Sequence, residues 1–110
     1  MSSIFPDSIT QLPLADIPLK GVTAFLSQAS SHQILFMEFS EDIELPEHAH
    51  SAQTGFVLAG RIDLVIDGKS CSFKQGDRYH IPANIPHSGR IHAGYADITF
   101  FDQPDRYAVR

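Results

Sequence analysis

The stretch that most constrains the fold is residues 61–75, Arg61-Ile62-Asp63-Leu64-Val65-Ile66-Asp67-Gly68 followed by Lys69-Ser70-Cys71-Ser72-Phe73-Lys74-Gln75. Ile62, Leu64 and Ile66 fall on one face, and Arg61, Asp63 and Asp67 on the other. A period of two is the mark of a strand with one face buried. Asp67-Gly68 is a tight-hairpin pair, because such turns need residues that accept positive φ. It leads directly into a second strand over 69–75, and Gly76-Asp77 marks another turn before 78–82. Residues 22–28, 32–40 and 96–101 are similarly rich in aromatic and branched side chains. No window of useful length has helical periodicity, and at most a turn of helix is expected after Pro104. Many short strands at near-regular spacing predict an all-β antiparallel sandwich or barrel. Such a barrel hides its edges and can hold a ligand inside.

Length and composition bound the rest. At 110 residues, 43% hydrophobic and 19% charged, the chain is expected to be a single domain, 1–110, with a real core. Pro6, Pro13 and Pro18 lead to the expectation of an extended, helix-free N-terminal arm over 1–16. The net charge of −5 argues against nucleic acid, since phosphate binding needs concentrated Lys and Arg. No apolar run approaches bilayer-spanning length. The start, Met1-Ser2-Ser3-Ile4-Phe5-Pro6-Asp7-Ser8, lacks the basic residues and apolar core of a signal peptide. The lone cysteine, Cys71, cannot form an internal disulfide and suits a reducing compartment. A soluble cytoplasmic protein is the expectation.

The chemistry concentrates in Pro46-Glu47-His48-Ala49-His50-Ser51-Ala52-Gln53. In a strand, residues i and i+2 point the same way, so His48 and His50 are expected to project together. A third histidine, His87, follows Pro86. Three imidazoles suit a first-row divalent ion when they converge. Without such convergence, a His-x-His pair is simply a solvated strand face. His32, His80 and His92 have no such pairing and are read as surface or supporting residues. Phe56, Val57, Leu58, Ile62, Leu64 and Ile66 are read as barrel core, Tyr79 and Phe73 as packing, and Gly55 as a bulge or turn glycine.

Two stretches together resemble the paired motifs of a small single-domain bacterial cupin. The first, Asp42 to Gly60, carries the His-x-His pair and the closing glycine; the second, Gly76 to Ile91, carries Gly76, Pro82 and His87. Fifteen residues separate Gly60 from Gly76, as in the smallest members of that family. The resemblance implies a double-stranded β-helix, or jelly-roll barrel, around one divalent metal ion, with Zn, Ni, Fe or Mn as candidates. Asp42 stands in place of the motif's first glycine and Ile91 in place of its final Asn. Asn84 replaces a glycine, and Asn is the residue that best tolerates the left-handed region.

The largest departure is the missing glutamate ligand. In register with Gly60 its place is taken by Gln53, one residue closer to His50 than the motif asks, which a bulge or tighter turn would absorb. Carried over residue by residue, the resemblance implies His48, His50, Gln53 and His87 as metal ligands. Such a neutral donor set leaves the ion's double charge uncancelled, which favours a small anionic substrate.

Small cupins with this ligand set include proteins of pectin and alginate breakdown that linearise 4,5-unsaturated uronates, using an Asp, a Phe and an Arg near the C-terminus. Pro104-Asp105-Arg106 resembles their Pro-x-Arg, and Phe101 their Phe; no Asp falls at the matching spacing. Arg106 is the expected carboxylate clamp. Asp102, or else Asp97, is the expected proton carrier. The reading is therefore a metal-dependent isomerase or lyase of a small anionic, sugar-derived substrate, working as a homodimer with its N-terminal arm across the partner. An Fe(II)-dependent dioxygenase and a non-catalytic binding protein are the alternatives, because one barrel hosts many chemistries.

Overall fold

The structure, a computed structural model, describes residues 3–110, so Met1 and Ser2 of the expected arm lie outside the described residues. Nine strands follow one short helix: α1 (Asp7–Thr10), β1 (Val22–Gln28), β2 (Gln33–Phe39), β3 (Ile43–His48), β4 (Gln53–Ala59), β5 (Arg61–Ile66), β6 (Lys69–Lys74), β7 (Arg78–Ile81), β8 (His87–Ile91) and β9 (Ala96–Phe101). They form two antiparallel sheets, ordered β1-β2-β9-β4-β7 and β3-β8-β5-β6.

Alternation explains the layering. On β2, Gln33, Leu35, Met37 and Phe39 are buried while the residues between them are half-exposed. On β5, Ile62 and Leu64 face the core. Burying a side chain such as Leu26, Leu35 or Ile81 stabilises by roughly 1.5–3 kcal/mol. Asp67 and Gly68 both take positive φ, 51° and 77°, as the β5–β6 hairpin requires. Asn84 takes φ 62°, the left-handed position expected of it.

The sheets are joined by corners that orient the cavity between them. Gly60 links β4 to β5, and a Cβ there would fall 2.7 Å from the Tyr95 backbone. The β8–β9 link ends beside it. Val57, Ile62, Ile91 and Asp97 therefore lie towards this corner end. Gln53, His87 and Phe101 lie at the opposite end of their strands.

Two expectations, the helix-free arm and Phe56 as core, need correction. The arm contains helix α1, because Pro6 sits at its N-cap, where a missing N–H costs nothing and φ is −71°. From Phe5 onward the arm packs on its own chain: Phe5 meets Phe25 and Phe36 edge-on, and Leu14 and Ala15 bridge to Phe25 and Val109. No helix follows Pro104, where the chain runs as bends. Phe56 is exposed rather than core, since β4 alternates and Gly55 and Val57 take the inward places.

Candidate metal centre

His48 is the last residue of β3 and His87 the first of β8, paired in register across the ladder. His50 lies just beyond β3 in the link to β4, not in the strand. The shared-face argument for the pair therefore does not apply, yet the link turns His50 back onto the other two. Ring centroids lie 5.2 Å apart for His48–His50, 4.2 Å for His48–His87 and 4.9 Å for His50–His87. One ring nitrogen from each falls within 4.8 Å of the others. The ladder shifts register between Leu45 and His48, so the irregularity falls before the pair rather than between His50 and Gln53.

Each ring is oriented by a backbone carbonyl. Nδ1 of His48 lies 2.7 Å from Pro46 O, Nδ1 of His50 2.7 Å from Ser51 O, and Nδ1 of His87 2.9 Å from Ile85 O. A carbonyl only accepts, so each Nδ1 donates, which in the neutral ring leaves the lone pair on Nε2. His87 Nε2 is buried with no hydrogen-bond partner. Burial, above all, holds His50 and His87 below the ordinary imidazole value of 6.5, opposed by these carbonyls. Three imidazoles with converging ring nitrogens, each anchored through Nδ1, fit a divalent cation.

The cluster lines a cavity of about 540 Å³ between the sheets. Gln53 also lines it, with Nε2 3.5 Å from the Tyr79 hydroxyl. Arg106 reaches in from the tail, stacked 4.5 Å over the Tyr107 ring and 5.9 Å from that of Phe101. It makes no ion pair among the described residues, and its Nε is buried without a partner. Asp102 lies elsewhere. Alternation on β9 turns Phe101 inward and carries Asp102 to the exposed surface, so Asp102 is not part of the cavity.

Asp97 lies on the inward face of β9 with Thr99 and Phe101, and is 1% exposed. Its Oδ2 accepts from the Tyr95 hydroxyl at 2.6 Å and from Tyr79 at 3.4 Å, while Oδ1 has no partner. Burial pushes this carboxyl up to about 6, against the phenols that favour its charge. Tyr79 reaches Asp97 only because Gly55 leaves room: a Cβ there would fall 2.1 Å from the ring. Gly55 is thus neither bulge nor turn, but a mid-strand seat for Tyr79.

Sequence reasoning missed Gln33. Its fully buried amide donates to Tyr107 O at 2.7 Å and accepts from Tyr107 N at 3.0 Å, fixing the tail beside Arg106. The available signal was a polar side chain in the inward phase of β2. The remaining histidines stay outside the cavity: His32 stacks on Phe100, His80 meets Thr54, and His92 pairs with Asp63.

No curated protein matches the chain. Among solved structures it is similar to an RmlC-like cupin from Shewanella frigidimarina NCIMB 400, at 23% identity and a TM-score of 0.75, covering 96% of this chain and 94% of that one. It is also similar to KdgF from Halomonas sp., at 17% identity and a TM-score of 0.74, covering 96% of each. A mutant oxalate decarboxylase OxdC from Bacillus subtilis matches at 19% identity and a TM-score of 0.69, over 84% of this chain and 28% of that one. These likenesses agree on the barrel. The Cupin domain family model matches residues 35–101, spanning the three histidines and strands of both sheets, and the chain belongs to the cupin family.

Proposed function

We propose that this cupin is a metal-dependent enzyme that moves a proton on a small organic anion, in an isomerase- or lyase-type reaction. The observation that carries the reading is the convergence of three carbonyl-oriented imidazoles, with free Nε2 atoms, on a cavity that also receives an unpaired guanidinium. His48, His50 and His87 would hold one divalent first-row metal ion, with the Gln53 amide oxygen as a further donor. A bound metal supplies Lewis acidity toward an oxygen of the substrate. Arg106 takes the substrate's carboxylate in a two-point hydrogen bond, which fixes the reacting carbon. Asp97, its carboxyl pushed up to about 6, holds a proton behind the cavity wall and exchanges it through the Tyr79 hydroxyl bonded to its Oδ2. Sugar-derived acids are the class the sequence resemblance implies, and a homodimer is the assembly it implies.

The test is turnover of a panel of hexuronates, unsaturated uronates and other small carboxylates, with oxygen uptake followed in parallel. The proposal expects product formation that a chelator abolishes and added metal restores, without oxygen consumption. Oxygen uptake with Fe(II) would favour the dioxygenase reading. Ligand-induced stabilisation without product would favour a binding protein.

A further inference from the structure

The walls of the cavity narrow the class of anion. The end that holds His48, His50, His87 and Gln53 carries these polar groups beside Ile81, Phe101 and Tyr107, and Arg106 adds the one cation among the described lining residues. Away from that end the lining turns to hydrocarbon. Val22 and Met37 contribute from one sheet, and Ile62, Leu64 and Ile91 from the other. Their strands give this wall its length, since the five residues of β8, from His87 to Ile91, span roughly 13 Å. The polar atoms at the corner end are already committed or covered: Asp97 Oδ2 takes two phenols, and Asp97 Oδ1 and Thr99 Oγ1 are shielded from contact.

A polyhydroxylated sugar acid seated here would press hydroxyls against side chains that offer neither donor nor acceptor. Each hydroxyl would give up water without replacement. An acid with an apolar body faces the opposite balance, because its hydrocarbon leaves water for a surface of the same kind. Its single charge stays at the polar end, where the guanidinium and the histidine cluster meet it. The volume, about 540 Å³, lies within the range that holds an organic molecule of this size.

We infer that the substrate is an amphipathic carboxylate, with its charged head at Arg106 and the histidine cluster and an apolar body lying between Met37 and Leu64. This rests on the reading of the site as one for organic anions, and replaces its sugar-derived member with a hydrocarbon-bearing one.

Calorimetric titration of zinc-loaded wild-type protein with 3-phenylpropionate and, separately, D-galacturonate tests it. The inference expects 3-phenylpropionate to bind at least roughly tenfold more tightly, the scale of burying one apolar ring. Equal affinity, preference for galacturonate, or binding of neither would overturn it. The same pair is measured on chelator-treated protein. If the wild type takes up no zinc, the metal reading fails while the ratio of the two affinities still judges the wall. Met37→Gln keeps the side chain's length and adds an amide, and is expected to narrow the ratio at least threefold; an unchanged ratio in a folded variant would contradict the assignment.

Discussion

His48 and His87 face each other across the β3–β8 ladder, in register, with their rings 4.2 Å apart. Two strands distant in sequence thus bring imidazoles together through backbone pairing, and the link after β3 adds His50. Because the backbone also orients each Nδ1, the arrangement is built before any ion arrives. This gives the metal-free protein a defined pH response. His50 and His87 are held below 6.5, so folding favours their neutral forms. Their contribution to stability is complete above about 6.5 and is lost as pH falls through the window beneath it. Chelator-treated wild type should lose stability on acidification through that window faster than a His50→Gln/His87→Gln double variant, as measured by urea unfolding at a series of pH values.

Asp97 responds in the opposite sense. Its folded value, about 6, stands above the ordinary 3.8, so the folded state binds the proton more tightly than the unfolded one. Stability from this group is full below about 3.8 and is lost as pH rises towards about 6. Relative to Asp97→Asn, the wild type should lose about 3 kcal/mol across that interval, the linkage value of such a displacement. Parallel unfolding curves at pH 4 and pH 7 check it, and a constant difference between the two proteins would contradict it.

Gly55 and Tyr79 form a steric pair. Gly55→Ala puts a methyl 2.1 Å from an aromatic carbon that backbone pairing holds in place. The expected cost is about 1–3 kcal/mol of overpacking. The double variant Gly55→Ala/Tyr79→Leu should lose less than the sum of the single variants, and a double-mutant cycle in chemical denaturation measures that coupling. Strict additivity would separate the two residues.

These examples mark what the sequence could disclose. Most strands were legible because alternation is written directly into residues such as Ile62, Leu64 and Ile66, and Asp67-Gly68 announces its own hairpin. The histidine cluster was legible through its spacing and its likeness to the cupin motifs, although His50 arrives by a turn rather than along a strand. Helix α1 was not, because proline's effect depends on position within a turn: Pro6 caps what it would otherwise break. Phe56 and Asp102 were misplaced for one reason. Which face of a strand is inward depends on register, and a shift of one residue reverses it. Tyr79 looked like packing because a ring's burial says nothing of where its hydroxyl ends.

Gln33 holds the tail that presents Arg106. Replacing it with leucine keeps the volume but strands the Tyr107 backbone N–H and C=O, at about 1–3 kcal/mol. Gln33→Leu should therefore raise the KM for an anionic substrate while metal affinity stays near wild type. Arg106→Lys should raise KM as well, since an ammonium cannot make the two-point contact. Steady-state kinetics with parallel metal titrations distinguish these effects from loss of the site.

The most direct measurement is calorimetric titration of tag-free, chelator-treated protein with Zn(II) and Co(II) at neutral pH. Wild type should bind one ion per chain, and His48→Ala and His87→Ala should each weaken binding at least a hundredfold, as expected when one ligand of three or four is removed. His92→Ala, outside the cavity, should bind as wild type does. If wild type takes up neither ion, or if the His48 and His87 variants titrate indistinguishably from it, the three imidazoles are not a metal site.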